Sequence, residues 1–330
     1  MHVRSVHFRH FKSLRNVDLE LGPLNILTGP NNGGKTTFLS ALRLLDLAVT
    51  RARSRRPTSV RTPAGRRAGL RIDTDSVATS VANVHTDLLP LDTTVDYVFQ
   101  SDERLQLWFP PDGGCVLLGG DGGNLPLTTG EFKKRFTGDV VQVPTLGPLE
   151  DREPLLKEKT VQKGLNTHRA SRHFRNYWYR RPDGFEDFAA LVARTWPGTE
   201  VSPPEIIIAD KGPMLQMFCE ERRRLRELYW CGFGFQVWCQ LLSHIVRARS
   251  SSLLLADEPE TYLHPRVQRE LVTLLRSTGS QVVVASHSAT VIASARAGEA
   301  IVLDGSDGVC RRPKVHGMAL CRELGLLPER

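Results

Sequence analysis

The chain has 330 residues, 40% of them hydrophobic, and a formal net charge of +8. This length suits one large α/β domain with an insertion, or two domains. No apolar run reaches the roughly 18–20 residues that span a bilayer, and the first residues lack an apolar signal-peptide core. These features argue against membrane and secreted classes, so we expect a cytoplasmic protein without a membrane partner.

Strand-like segments at residues 2–11 and 16–28 open the chain, and the second runs into a glycine-rich segment. Residues 29–36 read G-P-N-N-G-G-K-T, a complete G-x-x-x-x-G-K-[ST] phosphate loop. An apolar stripe of helical period follows it from residue 37 to residue 47. The motif therefore stands between a strand and a helix, which is the context that it needs to bind a nucleoside triphosphate.

The residues of this loop have distinct predicted roles. Lys35 should reach the β- and γ-phosphates, and the Thr36 hydroxyl should hold Mg²⁺. Backbone N–H groups and the start of the helix should supply partial positive charge to the phosphates. The backbone groups come from Gly29, Asn31, Asn32, Gly33, Gly34 and Thr37.

Residues 51–71 change character, since they are rich in arginine with Pro, Ser, Thr and Gly and contain no acid. This composition predicts a mobile solvated loop. A contact with the phosphate backbone of a nucleic acid is the alternative. The arginines are Arg51, Arg53, Arg55, Arg56, Arg61, Arg66, Arg67 and Arg71.

The middle of the chain divides into two parts. From about residue 90 to residue 145 short strands alternate with Gly-Gly turns, which predicts a small antiparallel sheet that includes residues 140–143. Residues 150–230 are expected to be mostly helical. Within them, residues 168–181 (HRASRHFRNYWYRR) interleave arginines with aromatic residues. This pattern favours inward aromatic packing with a solvated Arg face, and nucleic-acid stacking is the alternative.

The last third contains two continuous apolar runs, residues 253–256 and 282–285, with a helix expected between them at 266–276. Such runs are typical of buried parallel strands in a βαβ unit. Asp257 and Glu258 follow the first strand, where Asp257 is expected to hold Mg²⁺ and Glu258 to polarise the attacking water. His287 follows the second strand, where it could sense the γ-phosphate.

These features together resemble the ATP-binding-cassette ATPases of the RecF/SMC-like soluble branch. Residues 8–14 (FRHFKSL) look like the F-K-S segment of that branch, and residues 257–265 (DEPETYLHP) look like its extended Walker B and D-loop. A closer match is the ATPase half of the overcoming-lysogenisation-defect (OLD) family of ATP-dependent endonucleases. Its inserted helices and signature region resemble residues 171–176, 195–198 and 232–238.

The resemblance implies a homodimer that hydrolyses ATP at its interface, where each signature loop closes on the partner's γ-phosphate. Gly232, Gly234 and Gln236 stand at the expected signature position before a helix from residue 237 to residue 246, whose dipole suits an anion. Phe233 replaces the usual serine there. The alternative is a glycine-rich helix start that packs its aromatic residues into the core.

Gln142 is the one candidate for the glutamine that links Mg²⁺ to the helical part in this family. It could equally be an exposed strand residue. Full-length family members also carry a Toprim nuclease domain, whose metal site uses an Asp-x-Asp pair. The 43 residues after His287 contain no such pair and are too few for a nuclease domain of about 100 residues. We therefore expect no nuclease activity from this chain alone.

The predicted fold is α/β, a P-loop NTPase of ABC-ATPase type with an antiparallel β subdomain and a helical insertion. The predicted function is a dimeric ATPase that uses ATP and Mg²⁺ to gate an effector or a nucleic-acid contact such as DNA, in phage defence or DNA repair. The rival is a nucleotide-dependent sensor or scaffold with little turnover that clamps a separate nuclease or other partner protein. The predicted parts are residues 1–50 (strands and P-loop), 51–90 (Arg-rich loop), 91–149 (β-rich part), 150–230 (helical insertion) and 231–330 (signature, Walker B and His switch).

Overall fold

A computed structural model of the chain describes residues 1–73, 84–167, 169–209, 212–304 and 309–328. Residues 74–83 of the predicted Arg-rich loop and His168 lie outside these ranges. No helix among the described residues is long and apolar enough to cross a membrane. The helices are α1 Lys35–Ala52, α2 Thr129–Arg135, α3 Glu158–Gly164, α4 Phe174–Arg180, α5 Phe185–Thr195, α6 Phe233–Ala248, α7 Pro265–Arg276, α8 Ala289–Ala293 and α9 Gly317–Glu323.

Strands occur in the expected segments 2–11 and 16–28 and within residues 91–149, and they also occur where a loop and helices were expected. They are β1 Val3–Phe11, β2 Leu14–Glu20, β3 Leu24–Thr28, β4 Thr58–Thr62, β5 Gly65–Ile72, β6 Thr93–Phe99, β7 Arg104–Phe109, β8 Cys115–Gly119, β9 Val140–Val143, β10 Glu153–Pro154, β11 Thr199–Val201, β12 Glu205–Ala209, β13 Gly212–Gln216, β14 Phe218–Glu221, β15 Arg224–Glu227, β16 Leu253–Asp257, β17 Gln281–Ala285, β18 Ala300–Asp304 and β19 Val309–Arg311.

A six-stranded sheet carries the phosphate loop. Its order is β19-β18-β3-β17-β16-β9, and all neighbours are parallel except β18 and β19. The side chains of β16 alternate between two cores, since Leu253 and Leu255 face one and Leu254 faces the other. This alternation is the two-residue period of a strand that is buried on both faces, as the continuous apolar run predicts.

Helix α1 lies on one face of this sheet, in the core that the sheet shares with β1 and β6. Phe38 and Leu42 on the helix are fully buried there with Phe8 of β1. Phe8 and Phe38 meet with ring centroids 5.4 Å apart. The other face of the sheet packs against α5, α6 and α7. The P-loop and the Walker B strand are therefore held between two hydrophobic layers.

The seven-stranded antiparallel sheet corrects the prediction for residues 51–71. Its order is β2-β1-β6-β7-β8-β5-β4, so the Arg-rich segment ends α1 and then forms a β-hairpin at one edge. Val60 of β4 is buried in a small cluster with Trp108, Val116 and Leu118. The hairpin is stabilised by this apolar contact, although Arg61, Arg66 and Arg71 in its strands are exposed.

Strand β9 corrects the prediction that residues 140–143 are part of the small antiparallel sheet. Residues 140–143 do not belong to the antiparallel sheet but form the edge of the parallel sheet, where Gln142 lies beside Leu255 of β16. The strand is short and apolar, so periodicity alone cannot assign it to one sheet or the other. Its observed place brings Gln142 beside the Walker B strand.

The predicted helical insertion at residues 150–230 is helical only in its first half. Helices α3, α4 and α5 are followed by strands β11 to β15, which form the sheet β11-β14-β15 and, with β10 from before α3, the sheet β10-β13-β12. Phe174 and Trp178 of α4 pack inward, as the packing interpretation expects. The expected solvated Arg face is wrong at Arg175, which is fully buried between Glu153 and Glu227.

Candidate functional site

The phosphate loop has a backbone that its glycines permit. Gly29 and Gly34 adopt φ values of 138° and 103°, which side chains on L-residues rarely tolerate. A Cβ at Gly34 would lie 2.9 Å from Leu14 Cδ2, and one at Gly29 would collide with the Leu303 carbonyl. Gly34 is the N-cap of α1, so the loop delivers its backbone directly to the positive end of an 18-residue helix.

Lys35 is the first residue of α1 and is only 5% exposed. Its Nζ donates hydrogen bonds to the carbonyl oxygens of Gly29 and Pro30 at 2.9 and 2.8 Å. Burial lowers the pKa of Lys35, and the carboxylates of Asp257 and Glu258 oppose that shift. The ammonium group is therefore held by the carbonyls of the loop, and the carboxylates of both Walker B acids favour its charged form.

The Walker B acids follow β16 as predicted. Asp257 Oδ2 lies 3.5 Å from Arg43 Nη2 of α1, and both side chains are about one-fifth exposed. Asp257 and Thr36 line the same cleft. A carboxylate and a hydroxyl are oxygen donors of the kind that Mg²⁺ takes from protein when phosphates and water supply the rest. These two residues would hold the ion.

Glu258 and His287 are brought together by adjacent strand ends. The Nε2 of His287 lies 3.4 Å from Glu258 Oε1, with both side chains partly exposed. Glu258 adopts φ 48°, and its N–H donates to the Ala285 carbonyl at 2.9 Å. A non-glycine residue held at positive φ costs on the order of 1–3 kcal/mol and is typical of functional turns. The turn thus presents its carboxylate to solvent beside the histidine.

Glu260 was missed by the sequence analysis, although it lies only two residues beyond Glu258. It is 6% exposed, and its Oε1 accepts hydrogen bonds from the Ser286 hydroxyl and from the Ser288 N–H. Burial raises the pKa of its carboxyl. Since Ser286 and Ser288 flank His287, Glu260 ties the turn of the Walker B acids to the turn of the histidine.

Gln142 donates from Nε2 to Asp46 Oδ2 at 2.9 Å and lines the cleft with Thr36 and Asp257. Burial raises the pKa of Asp46 to about 6, against the opposing effects of the Gln142 hydrogen bond and of Arg53. Asp46 was not predicted. The sequence pattern that could have identified it is a stripe of polar residues along α1, because residues three or four positions apart lie on the same face of a helix. The stripe contains Thr36, Ser40, Arg43, Asp46 and Thr50.

A cleft of about 1640 Å³ extends from these residues to the helical part of the chain. Among its charged lining residues, six are cationic and three are acidic, so it attracts anions. Lys159, Lys163 and Arg169 are exposed in it, whereas Arg172 pairs with Glu150 at 2.8 Å. The charged lining residues are Arg43, Asp46, Glu150, Arg152, Lys159, Lys163, Arg169, Arg172 and Asp257.

The signature candidate lies at a helix start, as expected, because Gly232 is the N-cap of α6. It contacts the segment after Walker B, where the rings of Phe233 and Tyr262 are 4.4 Å apart. Gln236 does not fit the predicted role in this conformation. It is 4% exposed, and its amide is bonded to the Leu149 N–H and to the carbonyls of Tyr229 and Cys231.

Nucleotide and Mg²⁺ fit the chemistry of the residues present. The loop supplies N–H donors, a lysine and a hydroxyl, and β16 supplies the carboxylates. No group of three or more His, Cys, Asp or Glu that could hold a metal occurs in the described part of the chain.

Comparison with known families finds matches to two family models. Residues 141–293 match the family "AAA domain, putative AbiEii toxin, Type IV TA system", and residues 5–76 match the family "AAA domain". The chain is 40% identical over 72 residues to the "Old nuclease" of Escherichia phage P2, covering 20% of this chain and 12% of that protein. It is 42% identical over 43 residues to the "OLD nuclease" of Thermus scotoductus, covering 13% and 8%.

Solved structures share the fold over nearly the whole chain. The Smc head bound to the C-winged helix domain of ScpA has a TM-score of 0.62 at 14% identity, covering 94% of this chain and 97% of that one. The SMC head domain from Thermotoga maritima has a TM-score of 0.54 at 15% identity, covering 96% and 100%. The chain therefore has the fold of an ABC-type P-loop ATPase domain of the SMC-head kind, and it resembles the ATPase domain of OLD nucleases.

Proposed function

We propose that the chain binds ATP with Mg²⁺ and hydrolyses it. The observation that carries the proposal is the convergence of Lys35, Asp257 and Glu258. Asp257 lines the same cleft as Thr36, the residue after Lys35, and lies 3.5 Å from Arg43 of the same helix, although the sequence places the lysine and the two acids more than 200 residues apart. When bound, Mg²⁺ neutralises phosphate charge. Glu258 orients the attacking water, and His287 beside it contacts the γ-phosphate side of the site.

The complete site is proposed to need a second copy of the chain. Gly232 and Gly234 lie at the N-terminus of α6, and neither lines the cleft that Thr36 and Asp257 share. A helix N-terminus attracts anions, so in a head-to-tail dimer this end would face the partner's γ-phosphate. Phe233 in place of the usual serine removes a hydroxyl from that contact, and slow turnover follows.

ATP binding is proposed to gate a second activity. The similarity to nucleases of the OLD type supports a separate nuclease or other effector subunit as partner, and phage defence or DNA repair as the setting. One SMC head among the structural neighbours is bound to a winged-helix domain of another protein, which supports a protein partner for this fold. The cationic cleft supports a nucleic-acid contact in addition.

A sensor or scaffold with little turnover is the second candidate. The Gln236 amide is fully engaged inside the protein, and Phe233 packs on Tyr262. Both contacts favour a structural role for the signature segment over a role in polarising the phosphate. The two candidates differ in the rate of hydrolysis and agree on ATP binding.

Separate assays of binding and hydrolysis test the proposal. We expect Lys35→Ala to abolish ATP binding and Glu258→Gln to retain binding but lose phosphate release. Matched controls are Lys134→Ala on α2 and Glu186→Gln on α5, both exposed; they should leave both measurements unchanged. Retained ATP binding in a folded Lys35→Ala variant would refute the assigned site.

A further inference from the structure

Two cysteines lie in contact at the entrance to the signature segment. The Sγ atoms of Cys219 and Cys231 are 2.7 Å apart, and both are free thiols. A disulfide needs a sulfur separation of about 2.0 Å and two side chains that point at each other. Only a small approach of the two sulfurs separates the observed contact from a bond. The two residues are not in a C-x-x-C motif, so the sequence alone gives no sign of this pair.

The pair joins two different parts of the fold. Cys219 is on β14, and Cys231 follows the 3₁₀ turn Leu228–Trp230 and immediately precedes Gly232, the N-cap of α6. A bond between them would fasten the start of α6 to the small sheet β11-β14-β15. The segment proposed to meet the partner's nucleotide would then lose freedom to move relative to that sheet.

The chemistry of the pair favours oxidation. The hydrogen bond between the two sulfurs lowers the pKa of Cys219, with the charge of Arg226 adding to the effect, and it raises the pKa of Cys231. The thiolate is the reactive form of cysteine. Cys231 is only half-buried, whereas the neighbouring Cys239 is completely buried in α6. The pair therefore places the buried sulfur with the lowered pKa, Cys219, in contact with a sulfur, Cys231, that is partly open to solvent.

We propose that Cys219 and Cys231 are an oxidation site that forms an intramolecular disulfide with peroxides and thereby restrains the signature segment. One sulfur is oxidised by peroxide to a sulfenic acid, the O–O bond breaks, and water leaves. The second sulfur attacks the sulfenyl sulfur, so that the S–O bond breaks, the S–S bond forms and a second water leaves. The dithiol loses two electrons and two protons, and one hydrogen peroxide becomes two waters.

Peptide mapping of the full chain tests the site without any reference to ATP. Reduced protein is treated with hydrogen peroxide, alkylated and digested without reductant. We expect the peptides of Cys219 and Cys231 to be linked, with the loss of two hydrogen masses, and to separate again after dithiothreitol. Cys231→Ser should lose the link, and Cys310→Ser, at another half-buried cysteine, should keep it. Unlinked thiols in oxidised protein, or a link between Cys219 and Cys239, would overturn the proposal.

The effect on turnover rests on the proposed function and is measured separately. We expect oxidation to slow ATP hydrolysis several-fold with unchanged ATP binding, and dithiothreitol to restore it; Cys231→Ser should not respond. Full turnover in protein whose link is mapped would refute the restraint. A reduced protein that binds ATP without turnover would contradict the proposed ATPase and leave the mapped disulfide standing, so the two failures are distinguishable.

Discussion

Glu260 connects the turns that carry the proposed catalytic residues Glu258 and His287. Its buried carboxylate accepts from both residues that flank His287. We expect Glu260→Ala to lower ATP turnover about tenfold, equivalent to about 1.4 kcal/mol of barrier, with little change in ATP affinity. Glu260→Gln keeps an acceptor oxygen and should keep most of the activity. Phosphate release and ATP affinity are measured for each variant.

A double-variant cycle separates positioning from general damage. If Glu260 acts through His287, Glu260→Ala combined with His287→Ala should be no slower than His287→Ala alone. Additive losses in the double variant would show that Glu260 acts elsewhere, and a folded Glu260→Ala variant with wild-type turnover would remove the role altogether.

Asp46 gives a pH dependence of stability with a defined sign. Burial raises its pKa to about 6, so the folded protein binds this proton more tightly than the unfolded chain does. Its ionisation therefore destabilises the fold as pH rises from about 4 to 6, and the full cost, at most about 3 kcal/mol, is present above pH 6. Asp46→Asn removes that cost.

Chemical denaturation of wild type and Asp46→Asn across this pH range is the measurement. The variant should be the more stable protein at pH 8, and the difference should shrink toward pH 4. A difference that is constant with pH, or that grows on acidification, would show that the carboxylate is stabilised in its charged form.

At the scale of elements, α4 is held by an ion pair that is fully buried. Arg175 bonds Glu227 at 2.7 Å and lies 3.6 Å from Glu153, and Arg175 and Glu153 are completely shielded from solvent. Removing one partner of a buried pair costs about 3–5 kcal/mol, because it leaves an uncompensated charge. Arg175→Ala should therefore lower the free energy of unfolding by that amount.

Arg172→Ala is the matched control, because Arg172 is on the same stretch but forms an exposed pair with Glu150. Such pairs contribute about 0–1 kcal/mol. Equal unfolding free energies for the two variants, from denaturant titrations, would contradict the structural role of Arg175 and reopen its assignment to a nucleic-acid surface.

The elements show which parts of the fold a sequence can predict. The parallel strands and the P-loop helix were predictable because their apolar runs and motifs are local. The hairpin β4-β5 was not, because Val60, Leu70 and Ile72 are its few buried apolar residues among exposed arginines. It forms because β8 offers a free edge, and a pattern within one segment contains no information about that edge.

The short strands β14 and β15 were missed for a related reason. Their sequences, FCEE and RLRE, are polar and only four residues long. β14 pairs with β15 on one side and with β11 on the other. In the candidate site, sequence motifs and strand ends predicted Lys35, Thr36, Asp257, Glu258 and His287. The burial of the Gln236 side chain was not predictable, because its amide oxygen accepts from the N–H of Leu149, which is distant in sequence.

At the scale of the whole molecule, the cleft extends from the start of α1, next to the P-loop, to the helical part of the chain. Its exposed cations predict salt-dependent binding of DNA, with each phosphate contact contributing about 0.9 to the slope of log affinity against log salt. Replacing Lys159, Lys163 and Arg169 with glutamine should reduce that slope by about 3 and weaken binding to all sequences alike.

Lys133 and Lys134 on α2, outside the cleft, provide the control double variant. Affinities are measured over a range of salt concentrations for both variants. An unchanged slope after replacement of the cleft cations, or a flat salt dependence in wild type, would exclude the cleft as a nucleic-acid surface.

If a second copy completes the site, as proposed, the rate of ATP turnover must depend on protein concentration. Turnover per subunit should rise with protein concentration as dimers form and then reach a plateau, since one copy holds Lys35 and the other contributes the start of α6. The measurement is the rate of phosphate release per subunit at saturating ATP over a wide range of protein concentrations, with Glu258→Gln as the inactive reference. We predict a rise to a plateau in wild type and no release in the variant; tight ATP binding without turnover at any concentration would contradict an ATPase.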